Sequence, residues 1–246
     1  MRYSLSPRLM ELAHWVAKIP FAKTILKPLY YPYKASIVRN RNIAYQANAL
    51  NTLDAFNACM KNNGFNYTLI FGSMLGAVRE QGFIKHDMDI DVAMWVDDYS
   101  DKVQSCLEAA GFKLDRRFLI DDGNSAREET YVLNNVPIDL FCIYPAIDEY
   151  PYICSKWSPV KDSASWQGSM KKYGYLTGKR LEMPIKKEVI YVPFESLSLP
   201  IAINAHEVLA FYYGEDYMNP NPSWVESKEF PYRKEWPEKK VIFQSF

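Results

Sequence analysis

What this 246-residue chain lacks narrows the field first. It has no charge excess: 29 Lys and Arg meet 29 Asp and Glu, which argues against a nucleic-acid binder held by a broadly basic face. Histidine occurs three times and cysteine four (Cys59, Cys106, Cys142, Cys154), with no CxxC pair. That spacing speaks against a Cys/His zinc site and makes a reduced, cytosolic chain the expectation. No run approaches the ~20 apolar residues of a membrane-spanning helix, and no signal-peptide pattern opens the chain. Internal repeats and low-complexity segments are absent. Glycine is sparse, 10 residues in all, against a usual share of ~7%.

What remains is a folded soluble protein, 48% hydrophobic and 24% charged, in one large domain or a core with appendages. A chain of this length buries about 70–75% of its unfolded surface. Three segments are expected: an arm at 1–41, a core at 42–145 and a C-terminal subdomain at 146–246. The arm carries Arg2, Arg8, Lys18, Lys23, Lys27, Lys34, Arg39 and Arg41 against Glu11 alone, with Trp15, Phe21, Tyr30, Tyr31 and Tyr33 among them. Basic residues with interfacial aromatics suit an anionic membrane surface; a solvated arm packed on its own domain suits the same residues. Pro20, Pro28 and Pro32 are expected to confine any helix there to residues 8–19.

In the core, residues 42–63 read as a helix with Ile43, Ala47, Leu50, Leu53 and Ala58 on one stripe, closed near Gly64. Asn66–Phe71 reads as a short buried strand. GSMLGAVREQG follows as a turn into a short helix, then residues 87–95 as an alternating strand and 97–110 as a helix. Strands are expected at 112–120 and 130–133, and Asn134-Asn135 turns the chain into 136–143 as a hairpin. Helix and strand mix, giving an α/β (α+β) class with a mixed sheet flanked by helices. After Pro145 the chain is expected to be loop-rich, with one amphipathic helix at 201–213 and a proline-rich tail at 219–237.

Chemistry concentrates in two places. Gly72, Gly76 and Gly82 gather within eleven residues of a glycine-poor chain, which marks a tight turn or a close backbone approach. Gly72-Ser73, opening a helix after a strand, offers backbone N–H groups to a phosphate, and Arg79 can neutralise that anion bidentately. Asp87, Asp89 and Asp91 stand at i, i+2, i+4, so on a strand all three share one face. Mutual repulsion there is relieved by a hard divalent cation held through carboxylate oxygens; an exposed acidic strand edge is the lesser alternative. An EF-hand is excluded, because its Gly and Glu positions hold Val92 and Asp98. Asp139 stands alone in the apolar strand VPIDLFCI, where a cation or a proton-transfer role offsets the cost of burial, as would hydrogen bonds to its neighbours.

The order strand, Gly-Ser, helix, Asp-x-Asp strand and a later Asp resembles the polymerase-β-type nucleotidyltransferase fold. More narrowly, FGSMLGAVREQGFIKHDMDIDVAM resembles the LicD/fukutin family, with VPIDLFCI and LAFYYGEDYMNP as further points of likeness. Lys85-His86 stand where the family usually has Pro-Trp, and Met88 replaces a frequent acid. The resemblance implies a phosphotransferase moving phosphocholine, ribitol phosphate or glycerol phosphate from a CDP-linked donor to a sugar hydroxyl of a surface glycan. It further implies that Asp89, Asp91 and Asp139, with Asp87 assisting, hold Mg²⁺ (or Mn²⁺), and that Asp139 takes the proton of the attacking hydroxyl. Gly72, Ser73 and Arg79 would steady the donor diphosphate. A nucleotidyltransferase adding a nucleoside monophosphate to a small molecule or protein is the alternative, and a non-catalytic interaction module a third.

The location expected is the cytoplasm or the cytoplasmic membrane face, the latter through contact by residues 1–41. Trp157, Trp166, Tyr173 and Tyr175 suit either a sugar or quaternary-ammonium site or plain packing. Lys171, Lys172, Lys179 and Arg180 suit an acidic glycan or lipid head group, or a solvated loop. For His206 a structural role is expected, and for Asp216 a turn.

Overall fold

The computed structural model describes residues 22–85, 87–221, 224–225 and 230–246, with side chains placed from Ser36 onward except Ile37. The helix expected at 8–19 and most of the basic arm lie outside the described residues.

Helix α1 spans Ala22–Asn62, 41 residues. It runs on through Pro28 and Pro32, correcting the expectation that proline confines helix to 8–19. Proline removes its own ladder hydrogen bond, but a helix anchored at one end propagates at low cost per residue. The anchor is the C-terminal half, where Tyr45, Ala49, Leu53, Phe56 and Met60 are buried. Of the stripe the sequence suggested, Leu53 is buried, but Ile43 is 56% exposed, and Ala47 and Ala58 face solvent. The aromatic rings decide the face, Phe56 packing edge-on against Tyr67 and Phe112.

Behind α1 lies a six-stranded mixed sheet. Its strands are β1 (Thr68–Leu69), β2 (Ile90–Trp95), β3 (Lys113–Ile120), β4 (Ala126–Leu133), β5 (Val136–Ile143) and β11 (Ile242–Ser245), ordered β1-β2-β5-β4-β3-β11. Only β2 and β5 run parallel; the other pairs are antiparallel. Helices α2 (Phe71–Arg79) and α3 (Asp101–Ala109) connect the first strands. Asn134 and Asn135 both take positive φ, 52° and 63°, as a two-residue type I′ hairpin requires. The main sheet thus takes its edge strand, β11, from the far end of the chain.

Residues 145–200 are more ordered than their composition suggests. A three-stranded sheet holds β6 (Tyr152–Pro159), β7 (Leu176–Glu182) and β10 (Arg233–Glu235), with α4 (Trp166–Tyr173) between the first two. A hairpin follows, β8 (Val189–Phe194) and β9 (Leu197–Ala202), so the expected helix at 201–213 begins only at α5 (Ala205–Tyr213). Strands β6, β7 and β10 escape a periodicity search because their partners lie far off in sequence.

Trp157 and Trp166 belong to a second hydrophobic cluster with Phe118 and Phe243. Lys179 pairs with Glu235 and Arg180 with Asp148 and Glu182, so this basic stretch is structurally engaged. Cys59 and Cys106 are joined as a disulfide with Cα atoms 6.4 Å apart, correcting the expectation of four reduced thiols, while Cys142 and Cys154 are free and buried. Among the described residues no helix is long and apolar enough to cross a membrane.

Candidate active site

The parallel pair at the sheet's centre sets the geometry. Asp91 of β2 lies directly opposite Asp139 of β5, and partners in register share a face. The same row continues outward: Asp139 opposite Thr130 of β4, and Thr130 opposite Arg116 of β3. On the other face of β2, Ile90, Val92 and Met94 are fully buried in the main core. Alternation therefore fixes the acid face by burying its opposite.

Asp87 and Asp89 are not on that strand. β2 begins at Ile90, and Asp87 N–H closes a turn onto the Ile84 carbonyl at 3.0 Å. The expected shared strand face is thus corrected: Asp91 alone is set by the strand, and the other two acids arrive through the bend before it. All three still gather. Burial and the charges of Asp87, Asp89 and Asp91 together push up the Tyr45 phenol, whose hydroxyl donates to the Asp89 carbonyl oxygen at 3.0 Å.

Burial first, and acid repulsion next, set the electrostatics of the site. Burial, then Asp139 and Asp87, raise the Asp89 carboxyl to about 6, with Arg116 acting the other way. Asp91 is held well above the ordinary carboxylate range by burial, then by Asp89, Asp139, Asp87 and Glu128. Glu128, two residues before Thr130 on β4, is raised to about 8, chiefly by burial and next by Asp139. Its Oε2 accepts from Trp157 Nε1 at 2.6 Å, and the Trp157 ring stacks on Phe118 with centroids 5.2 Å apart.

The glycine cluster works through close approach. A Cβ on Gly72 would stand 2.7 Å from Asp87 Oδ2, so the missing side chain leaves room for that carboxylate at the start of α2. The turn into α2 puts Phe71 at φ 50°, a strained conformation for a bulky residue, and its ring rests against Phe141 and Tyr212. Ser73, buried, accepts the Asp91 N–H on its Oγ at 2.9 Å, tying the helix start to the acid strand. Gly76 faces the Gly82 carbonyl, and Gly82 the Glu195 side chain, with no space for a Cβ in either case.

Arg79 has partners outside this group. Its Nε pairs with Glu80 at 2.8 Å and its Nη1 donates to the Tyr217 carbonyl at 3.3 Å, which ties α2 to the segment after α5. His206 is paired with the Tyr217 hydroxyl, and Asn219 N–H returns to the Asp216 carbonyl at 2.8 Å, so both have structural partners.

Three residues at the site escaped the sequence reading: Thr130, Arg116 and Glu128. Thr130 donates its hydroxyl to Asp139 Oδ1, and Arg116 Nη2 reaches the same oxygen at 3.4 Å. Glu128 completes the set, held by Trp157, an aromatic the sequence had already singled out. A signal for Thr130 existed: the Asn134-Asn135 turn fixes the hairpin register and places residue 130 opposite 139.

Among the described residues, no three His, Cys, Asp or Glu side chains stand together at metal-binding spacing. The chemistry of the donor set still fits Mg²⁺ or Mn²⁺, because carboxylates held high by burial and by one another are relieved by a hard divalent ion.

Comparison with known proteins adds two findings. A family model described as LicD/FKTN/FKRP, nucleotidyltransferase domain, matches residues 64–201. The lipopolysaccharide cholinephosphotransferase LicD of Haemophilus influenzae (strain Rd) is 46% identical over 50 residues, which is 20% of this chain and 19% of that protein. This likeness thus spans about a fifth of either chain.

Proposed function

The chain belongs to the LicD family, and from that premise we propose that it moves a phospho-alcohol from a CDP-linked donor to a sugar hydroxyl of a surface glycan. Phosphocholine, ribitol phosphate and glycerol phosphate are the candidate groups. The observation that carries the reading is the carboxylate row: Asp91 and Asp139 abreast on the two parallel strands, with Asp89 and Asp87 acting on them electrostatically. We assign Asp89, Asp91 and Asp139, with Asp87 assisting, to Mg²⁺ or Mn²⁺; bound there, the ion supplies charge neutralisation for the phosphates.

The chain's own residues then have distinct tasks. Asp139, steadied by Thr130, accepts the proton of the attacking sugar hydroxyl. The sugar oxygen bonds to the phosphorus carrying the alcohol, and that phosphorus loses its bond to the bridging oxygen. The bond's electron pair leaves with CMP, and a glycan phosphodiester remains. Gly72 gives Asp87 its place, and Ser73 fixes Asp91 through its backbone N–H. Positioning and charge neutralisation account for most of the gain in such a transfer. We place the reaction in the cytoplasm or on the cytoplasmic membrane face, with residues 1–41 as the membrane contact.

The matched domain's description keeps nucleotidyl transfer as the second reading, because the same carboxylates serve it. One experiment separates the two. Purified protein with Mg²⁺ is given CDP-choline, CDP-ribitol, CDP-glycerol and ordinary NTPs, with glycan acceptor, and nucleotide release is followed. CMP from one CDP-alcohol, lost in Asp89→Ala/Asp91→Ala, is the expected result. Pyrophosphate from an NTP, with no CMP from any CDP-alcohol, overturns the phosphotransfer reading in favour of nucleotidyl transfer.

A further inference from the structure

We infer that Arg116, which lies outside the glycine-and-aspartate motif, is the guanidinium that receives the donor's diphosphate; the inference rests on the proposed CDP-linked donor. Arg116 sits in the same cross-strand row as Asp91, Asp139 and Thr130. It is the side chain whose positive charge acts on both Asp89 and Glu128.

Its hydrogen bonds are unevenly used. The side-on fork of an arginine is formed by Nε and Nη2 and matches two oxygens of a carboxylate or phosphate. In Arg116, Nη2 reaches Asp139 Oδ1 at 3.4 Å, long for a charge-assisted bond. Nε is buried and has no hydrogen-bond partner among the described residues. Nη1 pairs with Asp115 at 2.9 Å, but that carboxylate is 51% exposed, and such pairs hold weakly. One edge of the guanidinium is therefore half engaged beside the carboxylates. A buried N–H of this kind calls for a partner.

Thr130 makes the exchange possible. Its hydroxyl holds Asp139 Oδ1 independently of Arg116, so the guanidinium can turn its Nε–Nη2 edge to a phosphate without releasing the carboxylate. Arg79, the arginine within the motif, is engaged by Glu80 and the Tyr217 carbonyl.

The test is titration calorimetry of the full chain with Mg²⁺ alone, and then with CDP in saturating Mg²⁺, comparing wild type, Arg116→Gln and Arg116→Lys. Far-UV circular dichroism confirms the fold of each variant. The expected result is a CDP affinity at least 10-fold weaker in Arg116→Gln, with Mg²⁺ affinity unchanged or higher because a competing cation has gone. Arg116→Lys should recover only part of the loss, since an ammonium restores charge but not the fork. Equal CDP affinity in wild type and Arg116→Gln overturns the assignment while leaving the CDP-donor reading standing. Parallel loss of Mg²⁺ and CDP in Arg116→Gln also overturns it, making Arg116 a positioning residue for the acids. A wild type that binds no CDP overturns the donor reading, and the assignment with it.

Discussion

Gly72 and Gly76 lie four residues apart on α2, and each lacks a Cβ for a different reason. At Gly72 the space belongs to a carboxylate oxygen of Asp87, the end of a side chain that can swing away. At Gly76 it belongs to the backbone carbonyl of Gly82, which cannot move without rebuilding the turn. Gly72→Ala should therefore leave thermal stability within about 1 kcal/mol of wild type but lower transfer activity, on the order of 10-fold or more, by displacing an acid of the site. Gly76→Ala should cost roughly 1–3 kcal/mol through overpacking, seen as a fall in Tm. Paired melting curves and turnover measurements check both. Equal effects on stability would show that the two close approaches do the same work.

At the scale of elements, the β4–β5 hairpin decides the site. Two consecutive positive-φ asparagines close it, and its register sets Thr130 against Asp139. Alanine tolerates that conformation less well, at roughly 1–2 kcal/mol per residue. Asn134→Ala/Asn135→Ala should thus be destabilised by about 2 kcal/mol, whereas Asn135→Gly should match or exceed wild type; urea unfolding midpoints decide.

This hairpin was legible because turn chemistry and alternation are local. The acid strand was legible only in part: from Ile90 onward the pattern is enforced by burial, but the turn between Ile84 and Asp87 breaks the alternation that three evenly spaced acids appear to continue. The buried face of α1 was misread because apolar residues occupy both sides of it, and only packing selects Tyr45 and Phe56 over Ile43. Arg116 and β11 were hidden for other reasons: Arg116 follows a register shift in the β3–β4 pairing, and β11 pairs with a strand far earlier in the sequence, neither of which a local period encodes.

At the scale of the whole molecule, the buried acids tie global stability to pH and to metal. Glu128 has an ordinary value of 4.5 and is held at about 8, chiefly by burial and next by Asp139, against Arg116 and the Trp157 N–H. Between those values the folded chain keeps a proton that the unfolded chain releases, so this group makes stability fall as pH rises from 4.5 through 8. Asp89, raised to about 6 from 3.8, adds a slope of the same sign over its own lower window. Glu128→Gln keeps an oxygen for Trp157 and removes the ionising group. Its Tm should therefore decline less than wild type between pH 5 and 8.5, and at pH 8.5 it should melt higher by a few degrees.

A divalent ion acts on the same repulsion. Protons and metal compete for the carboxylates, so Mg²⁺ should raise the wild-type Tm more at pH 8 than at pH 5, because binding to the folded state alone adds stability. In Asp91→Asn/Asp139→Asn that metal-dependent rise should disappear at both pH values, even as removal of the repulsion leaves the metal-free protein at least as stable. Scanning calorimetry with and without Mg²⁺ measures all four conditions. If the double variant keeps the full metal response, the stabilising ion sits elsewhere, and the facing pair on the parallel strands is not its seat.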